Sequence, residues 1–379
     1  MKILQLFSGV LGLDPRQTRF YQILSFHGEV TVCSAPPVPG FELPSTFLKL
    51  TRAGRSLPGK LLRAANLLSR RYEADIWTPR MRDLFTELQD SNFSLIVCHD
   101  ALLLPLALAL RERSRAEGRC ALVMDAREFY PRQFENNHLW RILFSGLNDY
   151  VCRRYLPQAD FVFTVSPGLA RGYAEEYGVN CRLLPSLPDY HEIFPTATPE
   201  RIRCIHHGCA APGRKLELMI EAFSYLQGKA TLDFMLMPSE RSGMYLAELR
   251  SRADNLSNIR FIEPVPMREI VSFITAYDLG VYLLQPSNYN HRHALPNKLF
   301  EFIQARLGVV VSPVPDMADL VRRYGIGLVT ADFTPEAMVQ SFNNLTISQV
   351  DEFKKKSHQA ARELCWENNA EILRRSLNL

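Results

Sequence analysis

Long apolar runs, a strong excess of charge and paired cysteines are all missing from the sequence, and each absence narrows the possible functions. The longest apolar stretch, positions 101–110, is interrupted by Pro105 and is about half as long as a bilayer-spanning helix. The formal net charge of +4 is too small to indicate a nucleic-acid partner by itself, and we expect none. The start of the chain lacks a signal-peptide pattern, so we expect a cytoplasmic protein.

Metal and dinucleotide motifs are also scarce. The eight cysteines include no Cys-x-x-Cys pair, and the loop from Ser8 to Gly12 departs from the Gly-x-Gly-x-x-Gly pattern of dinucleotide-binding proteins. One segment, Cys204-Ile-His206-His207-Gly-Cys209, does contain four possible metal ligands. A short extended segment cannot easily wrap one tetrahedral ion, so we favour core cysteines over zinc and expect neither a metal nor a cofactor.

What the sequence does contain is an alternation of strands and helices in two successive runs. With 379 residues and a hydrophobic fraction of 47%, the chain exceeds the size at which one core keeps growing. The alternation predicts an α/β fold of two Rossmann-like, doubly wound domains that face each other across a cleft. A proline-rich segment at 185–199 indicates a linker. We therefore predict domains at 1–188 and 189–355, and a C-terminal helix at 356–379 that crosses back to the first domain.

In the first half, polar side chains follow two predicted strands. His99 and Asp100 follow the strand at 94–98, and Arg127 and Glu128 lie just beyond the strand at 121–124. Ligands bind beyond the carboxyl ends of parallel strands, so these residues are expected to line a crevice. A lone histidine in this place is also common as a helix cap or a structural hydrogen-bonding group, and both interpretations of His99 stay open.

Two helix starts are predicted in the same half. Asp14 and Ser166 each precede a proline, and both have side chains suited to accept hydrogen bonds from the first amides of a helix. We expect both residues to be N-caps.

Positions 49–71 are basic and contain no acidic residue. The apolar side chains of this stretch are predicted to share one helical face, formed by Leu61, Leu62, Ala65, Leu68 and Tyr72. Such a segment, Lys49 to Arg71, can lie on an anionic membrane surface at the inner face of a membrane. It can equally be a helix packed on its domain with solvated arginines, and the residues leave both readings open.

Two loops of the second half are suited to an anion. The loop from Gly208 to Lys215 lies between a strand and a helix and ends in the pair Arg214-Lys215. The stretch His293 to Pro313 reads as loop, helix and buried strand, with Lys298 at the helix start. Exposed helix amides and nearby cations form a cradle for a diphosphate. Glu301, one turn further, can accept hydrogen bonds from sugar hydroxyls.

These motifs resemble those of retaining GT-B glycosyltransferases of the family 4 type. The resemblance is carried by the segments Gly208 with Arg214 to Phe223, Tyr277 to Tyr282, and Pro296-Asn-Lys-Leu-Phe-Glu301, and by earlier segments around Asp14, Asp125 and Asp160. It implies the GT-B fold and transfer of a sugar from a nucleotide-sugar to the hydroxyl of a glycan or lipid-linked acceptor. The expected reaction retains the anomeric configuration, needs no metal, and serves synthesis of cell-surface polysaccharide or glycolipid.

The resemblance also implies roles for individual residues. Glu301 is expected on the nucleotide ribose, with Arg214 and Lys298 on the phosphates. The full set of expected donor contacts is Gly9, Gly12, Gly208, Arg214, Lys215, Asn297, Lys298, Leu299 and Glu301. The catalytic candidates are Arg214, Lys215, His293 and Arg127, and the acceptor-side candidates are His99, Asp100 and Glu128.

Three positions depart from the family pattern. The chain has His293 where a glutamate is expected, Cys209 where a basic residue often follows the glycine, and Arg127 where histidine is common. His293 can still bind donor hydroxyls, and Arg127 can bind an anionic ligand. Two alternatives therefore accompany the transferase: an impaired subunit that binds nucleotide-sugar beside an active partner, and a GT-B epimerase that releases nucleotide without an acceptor.

Overall fold

A computed structural model describes residues 1–36, 46–50, 57–115, 118–237 and 243–377, with only the backbone at position 58. These residues form two compact units. Unit 1 comprises residues up to Leu184 together with Asn288–Asn290, and unit 2 comprises Pro185–Ser287 and the chain from His291 onward. The crossing of the C-terminal helix back to the first domain stays a prediction.

Unit 1 is built on a parallel sheet. Its described strands are β1 (Lys2–Val10), β2 (Glu29–Ala35), β3 (Thr46–Lys49), β4 (Leu95–Cys98), β5 (Ala121–Ala126), β6 (Phe161–Thr164) and β7 (Arg182–Leu183). They lie in the order β3-β2-β1-β4-β5-β6-β7, and all paired strands run parallel. β4 is buried along its whole length, as expected for an apolar strand covered by helices on both faces. This order is that of a doubly wound sheet.

The described helices of unit 1 are α1 (Pro15–Ser25), α2 (Leu57–Leu68), α3 (Tyr72–Ile76), α4 (Pro79–Leu88), α5 (Leu104–Arg115), α6 (His138–Leu143), α7 (Ser145–Tyr155) and α8 (Pro167–Tyr177). Two of them, α1 and α8, begin where the sequence predicts. The Asp14 carboxylate caps α1 by accepting from the amides of Arg16 and Gln17 at 3.1 and 3.2 Å. Ser166 is the N-cap residue of α8, which starts at Pro167 as predicted, but its hydroxyl makes no capping hydrogen bond. Ser166 is buried instead.

Unit 2 repeats the architecture with a second parallel sheet. Its strands are β8 (Ile202–Cys209), β9 (Ala230–Met237), β10 (Ile259–Ile262), β11 (Leu279–Tyr282), β12 (Gly308–Val311) and β13 (Gly327–Val329), in the order β10-β9-β8-β11-β12-β13. The described helices are α9 (Glu217–Ser224), α10 (Gly243–Ala253), α11 (Ile270–Ile274), α12 (Tyr289–Arg292), α13 (Asn297–Gln304), α14 (Pro315–Tyr324), α15 (Pro335–Asn343), α16 (Ile347–Ala361) and α17 (Trp366–Leu377); the first two residues of α12 belong to unit 1. β12 is buried throughout, which confirms the predicted core strand.

Helix α13 is held tightly against the sheet of unit 2. Phe300 and Phe302 on this helix are fully buried. A Cβ atom at Gly280 of β11 would lie 2.2 Å from the Phe302 ring, so only glycine lets the helix approach so closely. This packing fixes the direction in which Lys298 and Glu301, at the start of the same helix, present their side chains.

The basic segment lies in unit 1 and includes helix α2. The side of α2 that faces the unit is not the apolar face predicted from the sequence. Leu61 and Leu62 are 65% exposed and Leu68 is 62% exposed, whereas Leu67, which is not on the predicted face, is buried. Helix α2 therefore packs on the unit through Leu67 and Arg63, and the predicted apolar face is not the face that packs. Positions 51–56, which include Arg52 and Arg55, lie outside the described residues. Within the described chain, no helix is both long and apolar enough to span a membrane.

Candidate active site

The clearest polar cluster of unit 2 lies at the carboxyl end of β8, near the centre of its sheet. Gly208 has a φ of +125°, in the region that favours glycine. A Cβ atom there would lie 3.2 Å from the Lys298 ammonium and 3.5 Å from the Arg214 guanidinium. Gly208 therefore lets two cations from different segments approach one point of the backbone. The sequence predicted these three residues at one site, and the structure brings them together.

Lys298 is buried, and its neighbours are unusual for a lysine. Its ammonium donates to His206 Nε2 at 3.0 Å and lies 4.2 Å from the centre of the Tyr282 ring. The other ring nitrogen of His206, Nδ1, lies 2.8 Å from the Val281 carbonyl oxygen. A carbonyl only accepts, so Nδ1 carries the proton and Nε2 presents a lone pair to Lys298. His206 is thus a neutral hydrogen-bond acceptor that holds the Lys298 side chain in place.

The electrostatics of this pair follow from burial. Burial, and then the nearby Arg214 guanidinium, lowers the pKa of Lys298 well below its usual value. Burial and the Lys298 ammonium likewise lower the pKa of His206 well below its usual value. Among the described residues, no carboxylate forms a salt bridge with Lys298 or Arg214. Two adjacent cations without such a partner form a site for an anion.

Glu301 projects from α13 one turn after Lys298 and meets a second histidine. Its Oε2 lies 3.4 Å from His207 Nε2, and the side chain of Glu301 is 15% exposed. Burial, and then Lys298, lowers the pKa of His207 to about 3, so this ring is neutral near pH 7. His207 also packs edge-on against Phe302, with ring centroids 5.2 Å apart. A neutral imidazole therefore lies beside the carboxylate predicted to bind ribose.

The basic pair Arg214-Lys215 divides between two directions. The Arg214 guanidinium turns toward β8, with its Nη1 3.4 Å from the Cys209 carbonyl oxygen. Lys215 has a left-handed backbone, with φ 53°, and its ammonium lies 3.8 Å from Glu217 in an exposed position. The structure thus groups Arg214 with Lys298 and leaves Lys215 outside the group.

The other three predicted site residues of unit 2 differ in their contacts and exposure. His293 Nδ1 lies 3.3 Å from Asp316 Oδ2, a buried carboxylate at the start of α14. Asn297 is exposed at the first position of α13. The Leu299 side chain is buried in the core, and its amide donates to the Pro296 carbonyl at 3.0 Å. The Leu299 side chain therefore serves packing, and a donor contact of this residue stays a prediction.

In unit 1, the polar residues at the carboxyl ends of β4 and β5 form a closed network. Asp125 accepts two bonds from the Arg16 Nε and one from its Nη2, at 2.6–3.1 Å, and lies 2.8 Å from His99 Nδ1. His99 Nε2 lies 3.1 Å from the Gln5 amide nitrogen, which also donates to the Gln17 carbonyl. Burial alone would raise the pKa of Asp125, but Arg16 and His99 hold it well below its usual range.

The surroundings of His99 differ from those expected of a residue that contacts the sugar acceptor. It is fully buried, both of its ring nitrogens are paired, and Phe7 and Phe20 pack edge-on against it. Of the two interpretations of His99, the structure favours the structural hydrogen-bonding group. Arg16, Gln5 and Asp125, which complete the network, were not among the predicted site residues because their partners lie far away in sequence.

The other polar residues of unit 1 are also engaged. Asp100 accepts from the Ser8 amide at 2.5 Å, and Arg127 forms an ion pair with Asp14, the cap of α1. Glu128 accepts from Asn290 at 3.3 Å, and burial raises its pKa.

The first glycine loop lies in the same unit. Gly12 has a φ of +90°, and its amide donates to the Thr18 hydroxyl at 3.1 Å. Gly9 packs against Gln17. A donor contact of either glycine stays a prediction.

The Cys204 to Cys209 segment bears on the zinc alternative. Cys204 is buried in the core of unit 2, whereas Cys209 is exposed at the end of β8. Within the part of the chain that the structure describes, no group of three or more His, Cys, Asp or Glu side chains is arranged to hold a metal ion. His206 accepts from Lys298 instead, and His207 Nε2 lies 3.4 Å from Glu301. In the sequence, the position of these histidines just before Gly208 suggested metal ligands.

Comparisons with known proteins were made by sequence and by structure. No protein-family model matches the chain, and no curated protein matches its sequence. Solved structures do match over the whole chain. Sucrose-phosphate synthase from Thermosynechococcus elongatus aligns with a TM-score of 0.73 at 13% identity, covering 100% of this chain and 98% of that one. Anabaena HepE in complex with UDP and glucose aligns with a TM-score of 0.73 at 13% identity, covering 100% and 99%.

A third structure has the same coverage. The UDP-forming α,α-trehalose-phosphate synthase from Burkholderia vietnamiensis aligns with a TM-score of 0.66 at 11% identity, covering 100% of both chains. The chain has the GT-B glycosyltransferase fold. This confirms the predicted fold class, with two Rossmann-like parallel sheets. Because a fold supports more than one function, the reaction has to be argued from the site.

Proposed function

We propose that this protein is a glycosyltransferase that transfers a sugar from a nucleotide-sugar to an acceptor hydroxyl. The observation that carries the proposal is the pair Arg214 and Lys298, brought together over Gly208 at the carboxyl end of β8. Among the described residues neither cation has a carboxylate in a salt bridge, so a diphosphate supplies the charge that the pair needs.

Each residue of this cluster has a distinct part in the proposed reaction. Arg214 and Lys298 bind the diphosphate and stabilise the negative charge that develops on it as the sugar departs. Their two positive charges take the place of a divalent ion, so the reaction is metal-independent. Glu301, whose Oε2 lies 3.4 Å from His207 Nε2, accepts hydrogen bonds from the ribose. The configuration at the anomeric carbon is retained, as the family resemblance implies.

The donor to test first is a uridine diphosphate sugar. Two of the matched structures support this choice, since HepE was solved with UDP and with UDP-glucose, and the trehalose-phosphate synthase is described as UDP-forming. The acceptor is a hydroxyl of a glycan or of a lipid-linked glycan, in the synthesis of cell-surface polysaccharide or glycolipid. Asp100 and Glu128 remain the acceptor-side candidates in unit 1.

A second candidate is a subunit that binds nucleotide-sugar without turning it over. The observation that favours it is the exposed Cys209, which stands beside Arg214 where the family often has another cation. One cation fewer would stabilise a departing diphosphate less. Nucleotide binding without transfer, rescued by a second protein, would favour this candidate over the active transferase.

The direct experiment combines binding and transfer. Isothermal titration with UDP and UDP-glucose measures binding, and isotope-labelled UDP-sugars with a glycan or glycolipid acceptor measure transfer. Glu301→Ala should weaken nucleotide binding by about 1–3 kcal/mol, which is about 5-fold to 150-fold, because a sugar hydroxyl loses its acceptor. The matched control is Glu248→Ala, which removes an exposed carboxylate of α10. If the wild type binds no nucleotide and transfers no sugar, the proposal fails.

A further inference from the structure

Large apolar side chains are exposed on two neighbouring helices of unit 1. Those on α2 and α6 are between 62% and 72% exposed, and we call them the leucine surface: Leu57, Leu61, Leu62, Leu68, Leu139 and Ile142. The helices are in contact, and the Arg63 guanidinium of α2 lies 4.9 Å from the ring of Phe144, which follows α6. Phe134, in the loop before α6, is a further exposed aromatic at 49%. Large apolar side chains exposed on two helices that contact each other mark a candidate interaction site.

The orientation of α2 is fixed by its inward face. Arg63 lies 3.0 Å from Asp75 on α3, a carboxylate that is 5% exposed. Leu67 on the same side of α2 is buried in the core of the unit. A helix of ordinary amphipathicity turns its leucines inward and its arginines outward. Here an arginine and one leucine anchor the helix, and the other leucines face away from the unit.

The charged residues of the two helices that carry the leucine surface are all basic. Neither α2 nor α6 contains an acidic residue. Lys60, Arg70, Arg71 and Arg141 are exposed on or beside the two helices. The two acidic residues of α3 have partners within the unit: Asp75, which is buried, pairs with Arg63, and Glu73, which is 45% exposed, accepts from Tyr150 and Tyr155 and lies beside Arg154. Apolar side chains surrounded by positive charge are complementary to an anionic lipid surface.

A second copy of the chain fits this surface poorly. In a two-fold symmetric interface the same patch meets itself, so Lys60, Arg70, Arg71 and Arg141 of the two copies would be brought together. Like charges placed opposite each other cost free energy and disfavour such a pairing. An anionic bilayer offers both an apolar interior for the leucines and negative headgroups for the surrounding cations.

We propose that the leucine surface and its basic border bind the protein to the surface of an anionic phospholipid bilayer. The helices lie in the interface rather than crossing it, since within the described residues no helix is long and apolar enough to span a membrane. A transferase with a lipid-linked acceptor would reach its substrate from this position. The binding itself depends on unit 1 alone and stands independently of the sugar chemistry.

Vesicle co-flotation of the full chain tests the proposal. The probes are phosphatidylcholine vesicles with and without about one third phosphatidylglycerol, in a proportion that gives a clear negative surface potential. The wild type should float with the anionic vesicles and much less with the neutral ones. Leu61→Asp with Leu139→Asp should reduce binding about tenfold or more, because each change places a charge in the apolar layer. Lys60→Glu, Arg70→Glu and Arg71→Glu together should reduce it about 100-fold.

Matched controls come from unit 2. Met244→Asp changes a side chain that is 89% exposed, and Arg268→Glu reverses a charge that is 86% exposed. Both should float like the wild type. Circular dichroism and thermal melting verify that every variant is folded, and light scattering gives its oligomeric state. The proposal is overturned if the wild type ignores anionic vesicles, if the leucine variants bind as well as the controls, or if those variants instead dissolve a wild-type oligomer.

Discussion

Both units hold a buried polar cluster at the carboxyl ends of central strands, but the two clusters are completed in different ways. In unit 1, Asp125 is paired with Arg16 and His99, and Arg127 is paired with Asp14. In unit 2, Lys298 and Arg214 lie side by side, and Lys298 is held by the lone pair of His206 and the ring of Tyr282. The first cluster is neutralised internally, whereas the second carries positive charge that an anion can neutralise.

The difference separates structural polar groups from ligand-binding ones. A buried charge is tolerated when a partner compensates for its lost hydration. The network of Arg16, Asp125, His99 and Gln5 meets this condition and holds β1, α1, β4 and β5 together. In unit 2, Lys298 contacts the neutral His206 and Tyr282 and feels the Glu301 carboxylate, but no carboxylate among the described residues forms a salt bridge with it or with the partly exposed Arg214. This pair can therefore accept a ligand of opposite charge.

The largest effect should come from breaking the closed network. Arg16→Met leaves Asp125 as a buried carboxylate with only His99 beside it, and should lower the free energy of unfolding of unit 1 by about 3–5 kcal/mol. Hydrogen exchange of β5 and urea denaturation measure the loss. Arg153→Met is the control, because its pair with Asp149 is 62% and 42% exposed and should matter by less than about 0.5 kcal/mol. Equal losses in the two variants would contradict the structural role of the network.

The cluster of Lys298 and Arg214 in unit 2 is the open cluster, because its positive charge has no salt-bridging carboxylate among the described residues. A substitution there should change ligand affinity more than the free energy of unfolding. Lys298→Met removes a charged hydrogen-bond donor from the diphosphate, so UDP affinity should fall by about 1.5–3 kcal/mol. The free energy of unfolding should change by about 1 kcal/mol or less, since no buried carboxylate is left behind. Calorimetry and denaturant titration give the two values. A stability loss as large as that of Arg16→Met would remove the distinction between the clusters.

The stabilities of the two units should also respond differently to a fall in pH. The pKa of His207 falls from 6.5 to about 3 on folding, and that of His206 is lowered too, so below pH 6.5 the unfolded chain binds protons that folded unit 2 does not. As the pH falls below 6.5, His207 should lower the free energy of unfolding of unit 2 by up to about 1.4 kcal/mol per pH unit, and His206 should act in the same direction. The pKa of Asp125 is lowered from its ordinary 3.8, so its contribution to unit 1 is lost only as the pH falls below that value.

Hydrogen exchange between pH 6.5 and 4 can follow the units separately. Protection of β8 should fall in this range while protection of β5 holds. His207→Phe should flatten the pH dependence of unit 2, since a neutral ring of similar shape no longer titrates. Parallel loss of protection in both units would contradict the assignment of acid sensitivity to the buried histidines.

The smallest effect concerns Lys215, at the edge of the open cluster. Lys215→Gly should raise the free energy of unfolding by about 0.5–1 kcal/mol, because φ of 53° is costly for a residue with a Cβ atom. UDP affinity should change less than about twofold, whereas Arg214→Ala should weaken it clearly. Lys215→Ala is the control that removes the ammonium but keeps the strained backbone. A large loss of affinity in both Lys215 variants would restore this lysine to the anion site.

Much of this architecture is readable in the local sequence. Apolar, β-branched runs such as Gly308 to Val311 predict buried parallel strands, and Asp14 before Pro15 predicts the start of α1, because hydrophobic period and capping chemistry act over a few residues. The segment from Gly208 to Lys215 and the start of α13 likewise indicated an anion site from their composition. The two-domain α/β fold followed from the order of these elements.

Only the tertiary structure decided which side chains meet. His206 is 92 positions from Lys298, Arg16 is 109 positions from Asp125, and no local pattern encodes such pairs. The same holds for direction: Arg214 turns to the site while Lys215 turns away, Leu299 enters the core, and the leucines of α2 face outward. Periodicity specifies that a helix has an apolar face, but long-range packing determines what that face meets.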